Sequence, residues 1–148
     1  MQYKEEIRDL FSVSEDYYLA HCISADFGMG KGIAIEFNKN FDMKKKLTDK
    51  YPNFISNYRS NQLGGTALIE GQVINLITKE RYWQKPTYDT LQAALNAAKS
   101  QLPPDCKKIA MPIIGCGLDR LQWNKVSEII KDVFKDTDID ILVCRKFL

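Results

Sequence analysis

Apolar positions in this chain switch between unbroken runs and a spacing near four, and the switches mark out its elements. A short strand is predicted over 2–6, and a turn over 12–16 leads into a second, apolar strand over 17–23. A glycine-rich loop, 26–32, follows. A helix begins near Ile33, because Ile33, Phe37 and Phe41 fall four apart and share one face. The Lys44-Lys45-Lys46 run reads as a solvated helix face, and 51–63, with Pro52 and several Asn and Ser, as a connection. Gly64-Gly65 opens a hairpin with strands over 66–70 and 72–78 and Gly71 at its turn.

A second helix is predicted over 88–102. Leu91, Ala94, Leu95, Ala98 and Leu102 form its apolar stripe, bracketed by Pro86 and by Pro103-Pro104. A short strand, 108–112, runs into another glycine loop, 114–118. A third helix carries Trp123, Val126, Ile129, Ile130, Val133 and Phe134 on one side, and a strand over 139–144 follows it. Strands alternating with helices predict an α/β fold with helices on both sheet faces, and the hairpin makes the central sheet mixed. No repeat or linker interrupts the pattern, so residues 1–148 are expected to form one domain.

Composition narrows the chemistry. A net charge of +2 gives no argument for a nucleic-acid or membrane partner, and no apolar run reaches the roughly 20 residues of a membrane helix. The first residues are mixed and charged, unlike a signal peptide. A soluble, cytoplasmic protein is expected, and the charge balance points to a monomer. Cys22, Cys106, Cys116 and Cys144 are scattered, which favours thiols in a reducing compartment. His21 is the only histidine, so a His-rich metal site is impossible, and no metal or cofactor is expected. A packed or hydrogen-bonded strand position is the expectation for His21. Trp83 and Tyr82 either line a cleft or cover the core.

Two segments share one design: an apolar strand, a loop with glycines two apart, then a helix. The first loop holds Gly28, Gly30 and Gly32; the second holds Gly115 and Gly117. Glycine lets the backbone approach a ligand closely, and the N–H groups of such a loop favour an anion. Two of them at one sheet edge would grip a diphosphate, outside the carboxyl ends of the strands. Neither fits the P-loop or the dinucleotide-binding spacing.

Lys79 follows an apolar strand, and Asp119 follows the second loop. Alone, each has an ordinary role, as a solvated strand end and as a helix cap. Together in one cleft they could act on a masked aldehyde, the amine as nucleophile and the carboxylate moving protons.

Several blocks have a resemblance in common. They are Ala20-His21-Cys22-Ile23-Ser24 leading into Met29-Gly30-Lys31-Gly32-Ile33-Ala34, then Leu76-Ile77-Thr78-Lys79, and then Lys85-Pro86-Thr87-Tyr88. The longest is Met111-Pro112 with Ile114-Gly115-Cys116-Gly117-Leu118-Asp119-Arg120-Leu121-Gln122-Trp123. With them the chain resembles the macrodomain family, and within it the terminal ADP-ribose protein glycohydrolase branch. The resemblance runs over nearly the whole chain and implies a three-layer α/β/α macrodomain sandwich.

It also implies an ADP-ribose site at the sheet crest. Asp9 would accept from the adenine amino group and Leu10 would contact the adenine region. Met29, Gly30, Lys31 and Gly32 would hold the diphosphate and distal ribose from one side. Ile113, Ile114, Gly115, Cys116, Gly117 and Leu118 would hold them from the other, with Ser24 and Thr78 nearby. Phe147 and Leu148 are candidates to touch the adenine. The implied activity removes ADP-ribose from glutamate or aspartate esters of ADP-ribosylated protein. In it Lys79 attacks the distal ribose and Asp119 assists release. Arg8 stands where many members have glycine, and Ser24 where many have asparagine. Alternatives on the same cleft are a phosphatase for ADP-ribose 1″-phosphate, a hydrolase for ADP-ribosylated nucleic acid, and a reader that binds ADP-ribose without turnover.

Overall fold

A computed structural model describes residues 1–60, 64–116 and 120–146. The described residues form six strands: β1 (Gln2–Ile7), β2 (Tyr18–Ser24), β3 (Thr66–Glu70), β4 (Val73–Lys79), β5 (Lys108–Met111) and β6 (Asp140–Arg145). Their helices are α1 (Ala34–Phe41), α2 (Met43–Lys50), α3 (Phe54–Ser60), α4 (Tyr88–Gln101) and α5 (Trp123–Phe134). The strands lie in one sheet in the order β1-β6-β5-β2-β4-β3. Only β3 is antiparallel to its neighbour, β4; β1, β6, β5, β2 and β4 pair in parallel. The sheet is mixed, as the hairpin requires.

Side-chain alternation along the strands builds two cores. Ala20, Ile74 and Leu76 face α4 and α5, where Leu91, Leu95, Val126 and Ile130 meet them. Leu19, Ile23, Val73 and Ile77 face the other way, toward Phe37 of α1, Met43 and Leu47 of α2 and Tyr58 of α3. Burying a side chain of this size contributes about 1.5–3 kcal/mol. β2 and β4 are apolar on both sides because both sides are covered. The result is a three-layer α/β/α sandwich.

Two expectations need correction. The helix expected from Ile33 is split, because Asp42 adopts a left-handed conformation (φ 51°) that ends α1 and lets α2 leave in a new direction. The stretch read as a connection contains a helix, α3. Asn and Ser there masked an apolar pair, Phe54, which stacks on Phe27, and Tyr58, whose ring lies tilted against Phe54. Lys44, Lys45 and Lys46 are exposed, as the charge run suggested.

One polar pair sits inside the α1–α3 layer. His21 is fully buried, stacks on Phe37 with ring centroids 3.7 Å apart, and donates from Nε2 to Asn75 Oδ1 at 2.7 Å. Asn75 donates in turn to the Leu68 carbonyl at 3.0 Å. His21 is thus the packed, hydrogen-bonded strand residue the sequence suggested.

Candidate active site

The parallel strands deliver the candidate residues to one end of the sheet. β5, β2 and β4 are neighbours, so residues 113–116, the loop 26–32 and Lys79 leave adjacent carboxyl ends. Adjacent strands lie about 4.8 Å apart, so β1 and β4, four strand spacings apart, are separated by about 19 Å. Asp9 stands after β1 and Lys79 at the end of β4, near the two ends of that crest.

Gly30, Lys31 and Gly32 are exposed, and Gly32 uses a positive φ of 62°. Met29 is 5% exposed and packs downward with Leu10 in the α1–α3 core, so its side chain anchors the loop. α1 then starts with no side-chain cap. α5, which follows the second loop, also starts without one. By contrast α4, which follows no glycine loop, has a full capping box from Thr87 and Thr90. At α1 the Ile35 and Glu36 amides donate to the Gly32 and Ile33 carbonyls at 3.2 and 3.0 Å, so backbone turns close this helix start in place of a side chain.

In the second loop Ile114 and Gly115 are buried, and Ile113 and Cys116 are half-buried. Gly115 has φ 74°, and the Leu121 amide donates to its carbonyl at 2.7 Å, which draws the two sides of the loop together. Gly117, Leu118 and Asp119 lie outside the described residues, as do Phe147 and Leu148.

Asp9 caps the turn after β1: its Oδ1 accepts from the Phe11 amide at 2.9 Å, and Lys146 lies 3.4 Å from Oδ2. The Phe11 bond and the lysine hold its carboxyl below the usual range. Leu10 is 3% exposed and belongs to the core.

Lys79 is the last residue of β4, not the one beyond it, and it follows a defect in the ladder. Ile23 pairs with Ile77, but Ser24 pairs with Lys79, so Thr78 is the extra residue of a bulge. A bulge re-aims the side chain that follows it. Thr78 is 1% exposed, and its hydroxyl has no partner among the described residues. A cavity of about 530 Å³ borders this end of β4, lined by Tyr58, Thr78, Lys79, Trp83, Lys85 and Thr90 among others. A larger hollow of about 630 Å³ lies at the opposite end of the sheet, near Tyr17, Leu19 and Val73, away from both glycine loops. Tyr82 and Trp83 are 60% and 67% exposed, so they do not cover the core.

Comparison with known proteins decides the family. The chain is 44% identical over 139 residues to the ADP-ribose glycohydrolase OARD1 of Homo sapiens, covering 91% of this chain and 86% of that protein. The Bos taurus protein of the same name is 43% identical over the same length. The chain belongs to the macrodomain family, in the OARD1 branch. No family model matches it. Among solved structures, the macrodomain of Mycobacterium tuberculosis DarG superposes with a TM-score of 0.72 at 19% identity over 97% of each chain. Thermosipho africanus DarTG in complex with ADP-ribose superposes at 0.64 and 18% identity, over 94% of this chain and 39% of that one. These two share the fold.

Sequence reasoning gave Asp26 of this macrodomain no role. Its Oδ1 accepts from the Ser24 hydroxyl and from the Gly28 amide at 3.1 Å, and its Oδ2 accepts from the Tyr82 amide at 3.0 Å. Burial pushes this carboxyl up, but those three bonds and the charge of Arg81 hold it below the usual carboxylate range. An Asp two residues before a glycine is an Asx-turn signal, and that signal was present in the sequence. The partner across the cleft, Tyr82, was not readable there.

Proposed function

We propose that this macrodomain binds ADP-ribose along the sheet crest and hydrolyses its ester to glutamate or aspartate side chains of protein. The observation that carries the reading is the position of Lys79, directly after the Thr78 bulge and one strand away from the loop 26–32. The identity with proteins named ADP-ribose glycohydrolase supports the activity, and the neighbour solved with ADP-ribose supports the ligand.

In this reading the adenine lies toward Asp9 and the distal ribose toward Lys79. The diphosphate rests on the amides of Met29, Gly30, Lys31 and Gly32 and on those of the second loop, Ile113 to Leu118. Ser24 and Thr78 shape the floor beneath the distal ribose. The Lys79 amine forms a bond to the anomeric carbon as the bond to the acyl oxygen breaks, and the carboxylate leaves with the electron pair. Asp119 takes the proton released by the amine. The ribose ring of the adduct opens as the remaining N–H proton passes to the ring oxygen, leaving an imine between Lys79 and the anomeric carbon. Water adds across the imine, its oxygen to carbon and a proton to nitrogen. The carbon–nitrogen bond then breaks as the new hydroxyl proton passes to the departing amine. The freed aldehyde closes again to the ribose, and Asp119 gives its proton to solvent. ADP-ribose and the unmodified carboxylate are the products. A carboxylate is a good leaving group, so the step needs positioning and a nucleophile.

The protein acts as a monomer in the cytoplasm, where buried thiols such as Cys106 and Cys144 stay reduced. Replacing Lys79 by Ala is expected to lower turnover of an ADP-ribosylated glutamyl peptide by at least about 1,000-fold. ADP-ribose binding by calorimetry should stay within a few-fold. Normal turnover in that variant would refute the lysine mechanism. Tight ADP-ribose binding by the unaltered protein, with no release from peptide, nucleic acid or the 1″-phosphate, would make it a reader.

A further inference from the structure

Three stitches join the segment that begins at Lys79 to the segment that opens the first glycine loop. The Ala25 amide donates to the Lys79 carbonyl at 2.9 Å and the Asp26 amide to the Glu80 carbonyl at 3.2 Å. The third is the Asp26 side chain. Its Oδ2 holds the Tyr82 amide, while its Oδ1 holds the Gly28 amide and the Ser24 hydroxyl. The two segments are also pressed together, because the Gly28 position has no room for a Cβ beside Tyr82.

These stitches sit where the regular ladder fails. The bulge at Thr78 breaks the β2–β4 register between Ile23 and Ser24, so the backbone around Lys79 is not fixed by strand pairing alone. Beyond Glu80 the chain turns, with the Gln84 amide on the Arg81 carbonyl at 3.1 Å and the Gln84 side chain on the Arg81 amide at 2.7 Å. Among the described residues, Asp26 Oδ2 is the side-chain acceptor that anchors this turn to β2's loop.

We infer that Asp26 is a positioning residue: one carboxylate locks the Lys79 strand end to the first glycine loop and so fixes the nucleophile against the sugar. The inference rests on the lysine mechanism proposed above. The two oxygens make the role separable. In Asp26→Asn the remaining oxygen serves Gly28 and Ser24, and the new amide group meets the Tyr82 N–H donor to donor. That variant unlocks the Lys79 side and leaves the glycine loop tethered.

The test measures kcat on an ADP-ribosylated glutamyl peptide, the ADP-ribose Kd, and backbone hydrogen exchange, for wild type, Asp26→Asn, Asp26→Glu and Lys79→Ala. Asp26→Asn is expected to lose about 10- to 100-fold in kcat, the scale of a misplaced catalytic group. Its ADP-ribose Kd should change by less than about threefold, because the anion loop keeps its anchor. Exchange should quicken in residues 80–84 and not in 28–34. Asp26→Glu keeps two acceptor oxygens, so it should lose less kcat than Asn; it also carries the kcat-against-Kd comparison if the Asn variant does not fold. A merely structural role would lower the melting temperature and leave kcat per folded molecule unchanged, which would overturn the inference. Parallel loss of kcat and affinity would overturn it too. An inactive Lys79→Ala beside a fully active Asp26→Asn overturns this inference alone. An active Lys79→Ala overturns the mechanism beneath it, and the inference with it.

Discussion

Ser24 faces Lys79 across the β2–β4 pair, although Ile23, one residue earlier, faces Ile77. The skipped residue, Thr78, changes which side of the sheet the next side chain can reach. Without the skip, period-two alternation would send Lys79 to the same layer as Ile77, under α1–α3. The bulge therefore carries the proposed chemistry as much as the lysine does.

The contact between the two loops predicts the effect of Gly28→Ala. A Cβ there would lie 2.9 Å from Tyr82 Cβ and force the loops apart. Overpacking of this kind costs about 1–3 kcal/mol, and turnover should fall by at least about 10-fold as the cleft widens. Urea unfolding and peptide turnover check the two parts separately.

Gly65→Ala should destabilise the fold. The new Cβ would sit 2.1 Å from the Thr90 carbonyl oxygen, a backbone atom at the start of α4. Backbone cannot swing aside as a side chain can. A loss of about 3 kcal/mol or more is expected, the upper end of overpacking costs. Thermal melting should fall by several degrees.

The buried His21 predicts a stability change with pH. Burial, only partly offset by the bond to Asn75, pushes its pKa from 6.5 down to about 4. Between those values the unfolded chain binds a proton that the folded chain does not, so stability rises with pH. Full stability is present above about pH 6.5, and up to about 3 kcal/mol is lost as pH falls to about 4. Urea unfolding at a series of pH values checks this. The slope between pH 6.5 and 4.5 should shrink in His21→Gln.

Hydrophobic period and glycine spacing carried most of this fold. The layers, the hairpin and the α4 and α5 stripes follow from side chains that repeat on one face. The break at Asp42 did not show, because a left-handed residue there is a local conformation within an otherwise helical pattern. α3 was hidden because Ser56, Asn57 and Arg59 are exposed and its two aromatics sit four apart in a short stretch. For the candidate site, Lys79, Asp119 and the glycine loops are proposals drawn from sequence motifs, and Asp119 lies outside the described residues. The Thr78 bulge and the Asp26–Tyr82 bond were not legible in the sequence, since each depends on register between strands or segments more than 50 residues apart. Leu10 and Met29 were expected at the ligand, and their side chains support the crest from within the core.

The central claim is a covalent bond between Lys79 and the distal ribose. Turnover of an ADP-ribosylated glutamyl peptide in the presence of cyanoborohydride, followed by peptide mapping, tests it. The account predicts a reduced ADP-ribosyl adduct on Lys79 that accumulates as activity is lost. Full activity with no adduct, or an adduct on another lysine while Lys79→Ala still turns over, would contradict it.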